Sequence, residues 1–205
     1  GQKILAEKAG AERIEIGLEF EIDPDWAISQ SDSAEIIEKF RQAGHNFIWN
    51  SARLAIAAGQ AIPFESLAQK HKTIREFVKR QSIKYFYDIR DGACHQILME
   101  KGHILPGQMI FGTEPNISAF GGIGTLAFRS GIEEMARLWA SGKSRVTVPE
   151  TARIIINGKM ARAISARDII LHIIKNIDMS RVGNRIIEFH GPVVSQMTIA
   201  ERFAL

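Results

Sequence analysis

Residues 85–96 have the sequence YFYDIRDGACHQ, and this stretch decides what kind of fold the chain has. Residues 85–89 are rich in aromatic side chains, which predicts a strand. The polar turn Arg90-Asp91-Gly92 follows it, and a helix is predicted to begin near Ala93. Strands that pass through a short turn into a helix build parallel sheets, so we expect His95 at the mouth of such a sheet.

The segments on either side of this unit alternate between strand and helix patterns. Strands are predicted at residues 13–22, 54–58 and 109–112. Helices are predicted at residues 2–9 and 65–81, and a further one is predicted to start at a capping box of Asp32 with Glu35 and to end at Gly44. This order predicts an α/β fold with a mainly parallel sheet, in which sites form at the carboxyl ends of the strands.

The later part of the chain has a different pattern. The glycine-rich run GGIG at 121–124 predicts a turn, and residues 126–139 are predicted to form one long helix. Asn157-Gly158, placed between residues 154–156 and a stretch that reaches Ile164, predicts a hairpin. Ser165 with Asp168 then predicts the cap of a helix, and a strand is predicted at 185–189. We therefore predict a first α/β domain at 1–148 and a partial second α/β domain at 149–205.

Composition and charge exclude several classes of protein. The chain has 45% apolar and 24% charged residues, which is ordinary for a globular protein with a buried core. Its 26 basic residues are dispersed among 23 acidic ones, so nucleic-acid binding is not expected. No apolar run approaches the roughly 20 residues of a membrane span. The pattern favours a cytoplasmic protein without a membrane partner.

The single cysteine limits the metal chemistry that these residues can support. Cys94 alone can form neither an internal disulfide nor a site built from several thiolates of this chain. A buried inert thiol is the favoured interpretation, and a reactive nucleophile is the alternative. The histidines other than His95 do not have the sequence spacing of metal ligands, so no metal-binding residues are predicted.

Several short motifs occur in the order and spacing of a known enzyme family. They are KTIREFV at 72–78, Tyr87-Asp88, Cys94-His95-Gln96, Glu100-Lys101-Gly102, Leu105-Pro106-Gly107, Gly112-Thr113, Val148-Pro149-Glu150-Thr151, Asn157-Gly158-Lys159 and Glu188-Phe189 with Gly191. This set resembles the large subunit of isopropylmalate dehydratase and homoaconitase, in the aconitase superfamily. The resemblance implies an aconitase-like three-layer α/β/α fold with a smaller C-terminal α/β portion. It extends over the family's front part only, without the later domains that carry three cluster cysteines and a swivelling lid.

The resemblance also implies site residues. His95 matches the histidine of the family's Cys-His-Gln motif, which contacts substrate and the water ligand of the cluster, and Gln96 is its neighbour in that motif. Gln30 matches a substrate-contacting position. Glu188 matches a carboxylate that pairs with an active-site histidine.

The chain departs from the family at two places. It has Glu114-Pro115-Asn116 where the family has Asp-Ser-His, so Asn116 replaces the histidine that would pair with Glu188. It has Gly59-Gln60 where the family has an Asp-His pair, and a glycine with an amide cannot deliver a proton to a leaving hydroxyl. Together with the cysteine count, these departures predict that the family's 4Fe-4S cluster is absent and that no cofactor is used.

Three further groups have two interpretations each. Glu114 is expected to orient His95, giving an acid–base pair, unless His95 is only a structural histidine. Arg129 is predicted on the helix after the glycine turn, either meeting a substrate carboxylate or simply exposed. The run 121–124 either cradles an anion at a helix start or provides a tight turn.

These residues favour a divergent, cluster-independent lyase or isomerase that acts on a carboxylate-bearing small molecule through His95 and Glu114, with Gln30, Gln96, Asn116, Arg129 and Glu188 contacting the substrate. A non-catalytic ligand-binding or scaffold protein is the first alternative, so whether the chain is an enzyme stays open. One chain of a multi-subunit hydro-lyase, with cluster ligands on another chain, is the second. A homo-oligomer or a separate small subunit is the expected form of assembly.

Overall fold

The computed structural model describes residues 1–59, 65–178 and 182–205, and it shows an α/β protein. The strands are β1 Glu19–Ile22, β2 Trp26–Ser29, β3 Leu54–Ala57, β4 Tyr85–Tyr87, β5 Met109–Gly112, β6 Leu126–Arg129, β7 Ser144–Thr147, β8 Thr151–Ile155 and β9 Ile186–His190. The helices are α1 Gln2–Lys8, α2 Ser33–Gln42, α3 Glu65–Gln81, α4 Cys94–Glu100, α5 Ile132–Ser141, α6 Ala166–Asn176, α7 Pro192–Gln196 and α8 Ile199–Ala204, with a 3-10 helix at Ile117–Ile123.

The centre of the molecule is a five-stranded sheet in the order β4-β3-β2-β5-β6, and all of its pairings are parallel. β2 lies in the middle, with Ile28 opposite Gly112 of β5 and Ser29 opposite Ile56 of β3. The carboxyl ends of β2 and β5 are therefore adjacent, and the Thr113 amide donates to the carbonyl oxygen of Ile28 at 3.1 Å. This arrangement brings the residues after both strands to one edge of the sheet.

Both faces of the central sheet are covered, which explains why its inner strands are continuously apolar. On one face, alternate strand residues such as Leu54, Ile56 and Phe111 pack into the main core with the apolar sides of α2, α3 and α5. On the other face, Ile28 and Ile110 pack with α4 and the 3-10 helix. The predicted three-layer α/β/α fold is confirmed.

Two further sheets have two strands each. β1 pairs with β7 in antiparallel register, and β8 pairs with β9 in parallel register. The last helices follow β9, and α6 begins with a full capping box in which Ser165 and Asp168 bond each other's backbone amides. Whether residues 1–148 and 149–205 are separate domains stays a prediction.

Several local predictions were wrong. The strand predicted over 13–22 is confined to Glu19–Ile22, and the strand Trp26–Ser29 was missed. The predicted helix over 126–139 is the strand β6 followed by α5, because the chain turns between Arg129 and Ile132. The capping box at α2 does not form, since the Asp32 carboxylate accepts from the Gln30 amide at 3.1 Å.

The predicted hairpin around Asn157-Gly158 is also wrong. β8 ends at Ile155 and pairs in parallel with β9, so each of its residues is opposite a residue 35 positions further along the chain instead of one directly after the turn. Gly158 does have the positive φ of 91° that a tight turn needs. The turn at Asn157-Gly158 was therefore predicted correctly, but the next element that the structure describes after it is the helix α6.

Across the described residues, no helix combines the length and the apolar character that crossing a bilayer requires.

Candidate active site

The candidate site lies at the carboxyl ends of β2 and β5, beside the first turn of α4. The chain passes from β4 through the Arg90-Asp91-Gly92 turn into α4, which places His95 near the start of this helix. Glu114 is the second residue after β5. The His95 Nδ1 and Glu114 Oε1 atoms are 3.2 Å apart. Two residues that are 19 positions apart in sequence thus form one pair.

The two partners differ sharply in exposure. The Glu114 side chain is 2% exposed, whereas that of His95 is 29% exposed. Because Nδ1 of His95 faces a carboxylate oxygen, we assign the hydrogen of the neutral imidazole ring to Nδ1. The lone pair of the ring is then on Nε2. Within the described residues, Nε2 has no hydrogen-bond partner. The geometry is that of a buried carboxylate orienting a half-exposed imidazole.

One carboxylate oxygen of Glu114 accepts hydrogen bonds, and the other has no partner among the described residues. Its Oε1 atom also accepts from the Asn116 Nδ2 atom at 3.2 Å. Its Oε2 atom is buried, and no described residue donates to it. The hydroxyl of the preceding residue, Thr113, is likewise buried without a described partner. Buried polar groups are nearly always hydrogen-bonded, so each of the two groups is expected to have a partner: a donor for the carboxylate oxygen, and a donor or an acceptor for the hydroxyl.

The polar character of this edge continues onto β2. The hydroxyls of Ser29 and Ser33 are fully buried and hydrogen-bonded to each other at 2.7 Å. Gln30 follows β2 at the same edge of the sheet as Glu114 and is half-buried. The structure therefore places Gln30 directly after β2, the strand adjacent to the one that leads into Glu114.

Gln96 is not brought to the site. It is exposed on α4, and its Nε2 atom donates to Glu100 Oε1 at 2.8 Å, one turn further along the helix. Neighbouring residues on a helix point about 100° apart, so the sequence motif gave no assurance that Gln96 would accompany His95. Its substrate-binding role stays a prediction without geometric support.

Asn116, Arg129 and Glu188 all line a cleft of about 1150 Å³ between the 3-10 helix and the β8–β9 sheet. Arg129 is exposed and is the last residue of β6, not a helical residue as predicted. The residues that form the cleft do not include His95 or Glu114. Asn116 connects the two places, because it lines the cleft and also donates to Glu114.

Glu188 has a histidine partner that the sequence analysis did not foresee. Its Oε2 atom lies 3.3 Å from His190 Nε2, two residues further along β9, and its Oε1 atom accepts from the Gly1 amine at 2.6 Å. Alternate residues of a strand point to the same face, which brings Glu188 and His190 together. This spacing was visible in the sequence, and it could have identified the pair.

Cys94 lies directly before His95 and is buried. Desolvation raises the pKa of its thiol, and the charges of Glu114 and Asp32 raise it further. In the parts of the chain that the structure describes, no three His, Cys, Asp or Glu side chains are grouped so that they could hold a metal ion. These residues do not fit a 4Fe-4S cluster by themselves, because one buried thiol cannot supply several thiolate ligands.

We expect Cys94 to be unreactive in the folded protein, because thiolate is the nucleophile and burial disfavours it. At pH 8, reaction with a small thiol reagent should be at least about tenfold slower in the native protein than in denaturant. A colorimetric thiol assay measures both rates, with Cys94→Ser as the blank. Equal rates in the two states would contradict the buried assignment.

Comparison with known proteins gives the chain a family. Residues 34–205 match the model of the aconitase family (aconitate hydratase). The chain is 35% identical over its whole length to a protein of Methanothermobacter thermautotrophicus named "Probable 3-isopropylmalate dehydratase large subunit", of which it covers 49%. It is 33% identical, over its whole length and 49% of the relative, to the 3-isopropylmalate dehydratase large subunit 1 of Methanopyrus kandleri. It is 31% identical over 89% of its length to 48% of the "Probable methanogen homoaconitase large subunit" of Methanosarcina mazei.

The expectation that the protein uses no cofactor is wrong. The matched family is the one whose 4Fe-4S cluster the sequence resemblance implied. The chain spans about half the length of these curated relatives, so its cysteine count covers only about half of such a protein. One thiol in these 205 residues therefore gave no ground for a protein without the cluster.

Gln60, the second half of the predicted Gly59-Gln60 departure, lies outside the described residues. Gly59 itself has a φ of 78°, a left-handed conformation that favours glycine.

Four observations agree with one another: the strand order, the two covered faces of the sheet, the motifs around His95 and the family match. The chain belongs to the aconitase family.

Proposed function

We propose that this chain forms the substrate-facing part of a hydro-lyase of the isopropylmalate dehydratase and homoaconitase type, with His95 and Glu114 as its acid–base pair. The contact between His95 Nδ1 and the buried Glu114 carboxylate supports this proposal most strongly. A carboxylate that holds one ring nitrogen leaves the other nitrogen free to take or return a proton.

The chemistry of such a lyase begins with a hydroxy acid. His95 Nε2 accepts the proton from the carbon atom beside a carboxylate, and the C–H electron pair forms the new double bond as the hydroxyl departs from the neighbouring carbon. The resulting imidazolium is stabilised by the Glu114 carboxylate. The described residues of this chain offer no acid at Gly59 for the departing hydroxyl, so that role falls to another group of the protein.

The substrate is proposed to be a carboxylate-bearing small molecule. Arg129 is exposed and lines the cleft, and a guanidinium suits a carboxylate through two parallel hydrogen bonds. Asn116 lies where the cleft meets Glu114, so a molecule held by Arg129 could extend towards the acid–base pair. The buried Glu114 Oε2 atom is proposed to accept a hydrogen bond from a donor group such as a substrate hydroxyl.

The assembly and location of the protein also remain proposals. The relatives are named large subunits, so we propose a small-subunit partner for this chain as well. The predictions of a cytoplasmic location and of no nucleic-acid partner are retained.

A non-catalytic ligand-binding role is the second candidate. It is favoured by Gly59, whose left-handed backbone conformation would be strained by the aspartate that the family has at that position. Under this alternative, a dicarboxylate raises the melting temperature through binding to the native state, but no product forms.

Glu114→Gln tests the proposed acid–base pair with little change in shape. We expect turnover of 3-isopropylmalate by the assembled protein to fall about 10²-fold or more, because an amide favours the wrong tautomer of His95 and cannot stabilise an imidazolium. Formation of the unsaturated product is followed by its ultraviolet absorbance. Unchanged turnover would remove Glu114 from the mechanism, and an absence of product from both proteins, with ligand-dependent stabilisation in each, would favour the binding role.

A further inference from the structure

The side chain of Asn116 does not do what an asparagine at its position usually does. Asn116 is the N-cap of the 3-10 helix Ile117–Ile123, where an asparagine oxygen commonly accepts a hydrogen bond from a backbone amide of its own helix. Within the described part of the chain, the Asn116 side chain makes no such bond. Its Nδ2 atom donates to Glu114 Oε1 at 3.2 Å instead. The side chain is therefore oriented towards the carboxylate rather than towards the helix.

The backbone around Asn116 is held firmly in place. The Ile117 amide donates to the carbonyl oxygen of Glu114 at 3.1 Å. The Ala119 amide donates to the carbonyl oxygen of Asn116 at 2.9 Å. Ile117 is 3% exposed and Phe120 is completely buried, so apolar packing fixes the 3-10 helix against the central sheet. Asn116 is thus an exposed side chain on a well-packed turn.

One oxygen of Glu114 connects Asn116 with His95. Oε1 accepts from Asn116 Nδ2 and also lies 3.2 Å from His95 Nδ1, whereas Oε2 has no partner among the described residues. The last torsion of a glutamate side chain has only a broad preference, so the side chain alone does not fix the orientation of its carboxylate. The Asn116 amide supplies that constraint, because it holds Oε1 on the side that faces Nδ1.

Direct contact with a substrate is the competing role for Asn116, because this residue also lines the cleft. The two roles differ in what the amide does in the free protein. A donor that is reserved for a substrate has no acceptor within the protein, whereas Asn116 Nδ2 already has one. The acceptor is a carboxylate that is only 2% exposed, and a buried carboxylate needs donors. The observed bond therefore favours a role that is exerted through Glu114.

We propose that Asn116 is a positioning residue of the acid–base pair. It fixes the Glu114 carboxylate so that the hydrogen of the neutral His95 ring stays on Nδ1, which leaves Nε2 free to exchange a proton with the substrate. Consecutive hydrogen bonds polarise one another, so loss of the outer donor weakens the contact at His95. This inference rests on the proposed function and adds the group that orients its two residues.

The test is nitrogen NMR of the 205-residue chain labelled with ¹⁵N-histidine, at a pH where the His95 ring is neutral. The chemical shifts of the two ring nitrogens show which of them carries the hydrogen, and His95→Gln identifies the signal among the six histidines. We expect the hydrogen on Nδ1 in the unsubstituted chain. Asn116→Ala should move a large part of it to Nε2. Asn116→Leu, which keeps the branched shape without the amide, should do the same.

Ser118→Ala is the matched control for these substitutions. Ser118 is exposed on the same 3-10 helix and lines the same cleft, but it is not among the described partners of Glu114. This variant should leave the position of the His95 hydrogen unchanged. In the assembled protein, Asn116→Ala should lower kcat about 3- to 10-fold, the usual worth of one hydrogen bond, with KM within about twofold of its original value.

The possible failures of this inference and of the proposed function can be told apart. If the hydrogen lies on Nδ1 in the unsubstituted chain and in both Asn116 variants, the positioning role is overturned while the acid–base pair stands. If the hydrogen already lies on Nε2 in the unsubstituted chain, the assigned pair is wrong and the proposed function fails with it. A higher KM with unchanged kcat in Asn116→Ala would overturn the positioning role in favour of direct substrate contact.

Discussion

Trp139→Ala is expected to lower the free energy of unfolding by about 3–5 kcal/mol, the usual cost of emptying a large aromatic site in a core. Trp139 is completely buried in α5, and its ring stacks on that of Phe77 with 5.5 Å between centroids. It also lies 6.5 Å from the ring of Phe40. One side chain thus joins three helices on one face of the sheet, and urea unfolding measures the loss.

Trp139→Phe is the matched control for this substitution. The indole Nε1 atom is buried without a described hydrogen-bond partner, so phenylalanine removes an unsatisfied donor while keeping most of the ring contacts. We expect a loss of about 1–2 kcal/mol, smaller than that of Trp139→Ala, because phenylalanine leaves a much smaller cavity. Similar losses for both variants would show that the ring packing contributes little.

His95→Gln is expected to reduce turnover about 10²- to 10⁴-fold, the range for a positioned acid–base group. Glutamine can keep a hydrogen bond to Glu114 but cannot exchange a proton near neutral pH. The folded state should be retained, because the His95 side chain is only partly buried. Steady-state kinetics of the assembled protein, with the melting temperature as a check on folding, measures the effect.

Gln96→Ala is the control on the same helix. Gln96 is adjacent in sequence, but its amide bonds Glu100 on the exposed face of α4. We expect turnover within about twofold of the unsubstituted protein, as for a surface change away from a site. If Gln96→Ala removed as much activity as His95→Gln, the effect would belong to the helix rather than to the imidazole.

The sequence predicted the elements whose signals are local. α3 was predicted at its observed bounds, because 17 residues of helical periodicity leave little choice. β3 was predicted because a short apolar run between polar segments suits a buried parallel strand. β2 was missed because its apolar run, residues 26–28, has only three residues, against five in the run at 54–58.

The errors came from interactions between distant segments. Leu126 and Phe128 fit a helical pattern with the residues of α5, and only pairing with β5 makes them a strand. The partner of β8 could not be identified locally, because the intervening segment contains a turn signal and a whole helix. Tertiary pairing therefore decided both cases against the local pattern.

The part of the candidate site that lies at the ends of predicted strands could be predicted from the sequence. Residues that follow parallel strands gather at one edge, and His95, Glu114 and Gln30 do so. The separation of Arg129 and Glu188 from His95 could not be predicted, since it depends on how the β8–β9 sheet packs beside the 3-10 helix. Asn116 contacts both places because it lines the cleft at the start of the 3-10 helix and its side-chain amide bonds Glu114, two residues earlier.

The most direct test of the His95–Glu114 site is a crystal structure of the assembled protein with a bound hydroxy dicarboxylate. The proposal predicts a ligand atom within hydrogen-bond distance of His95 Nε2, with Nδ1 still held by Glu114. A ligand that binds only in the cleft lined by Arg129 and Glu188, with no atom near the His95 ring, would contradict it.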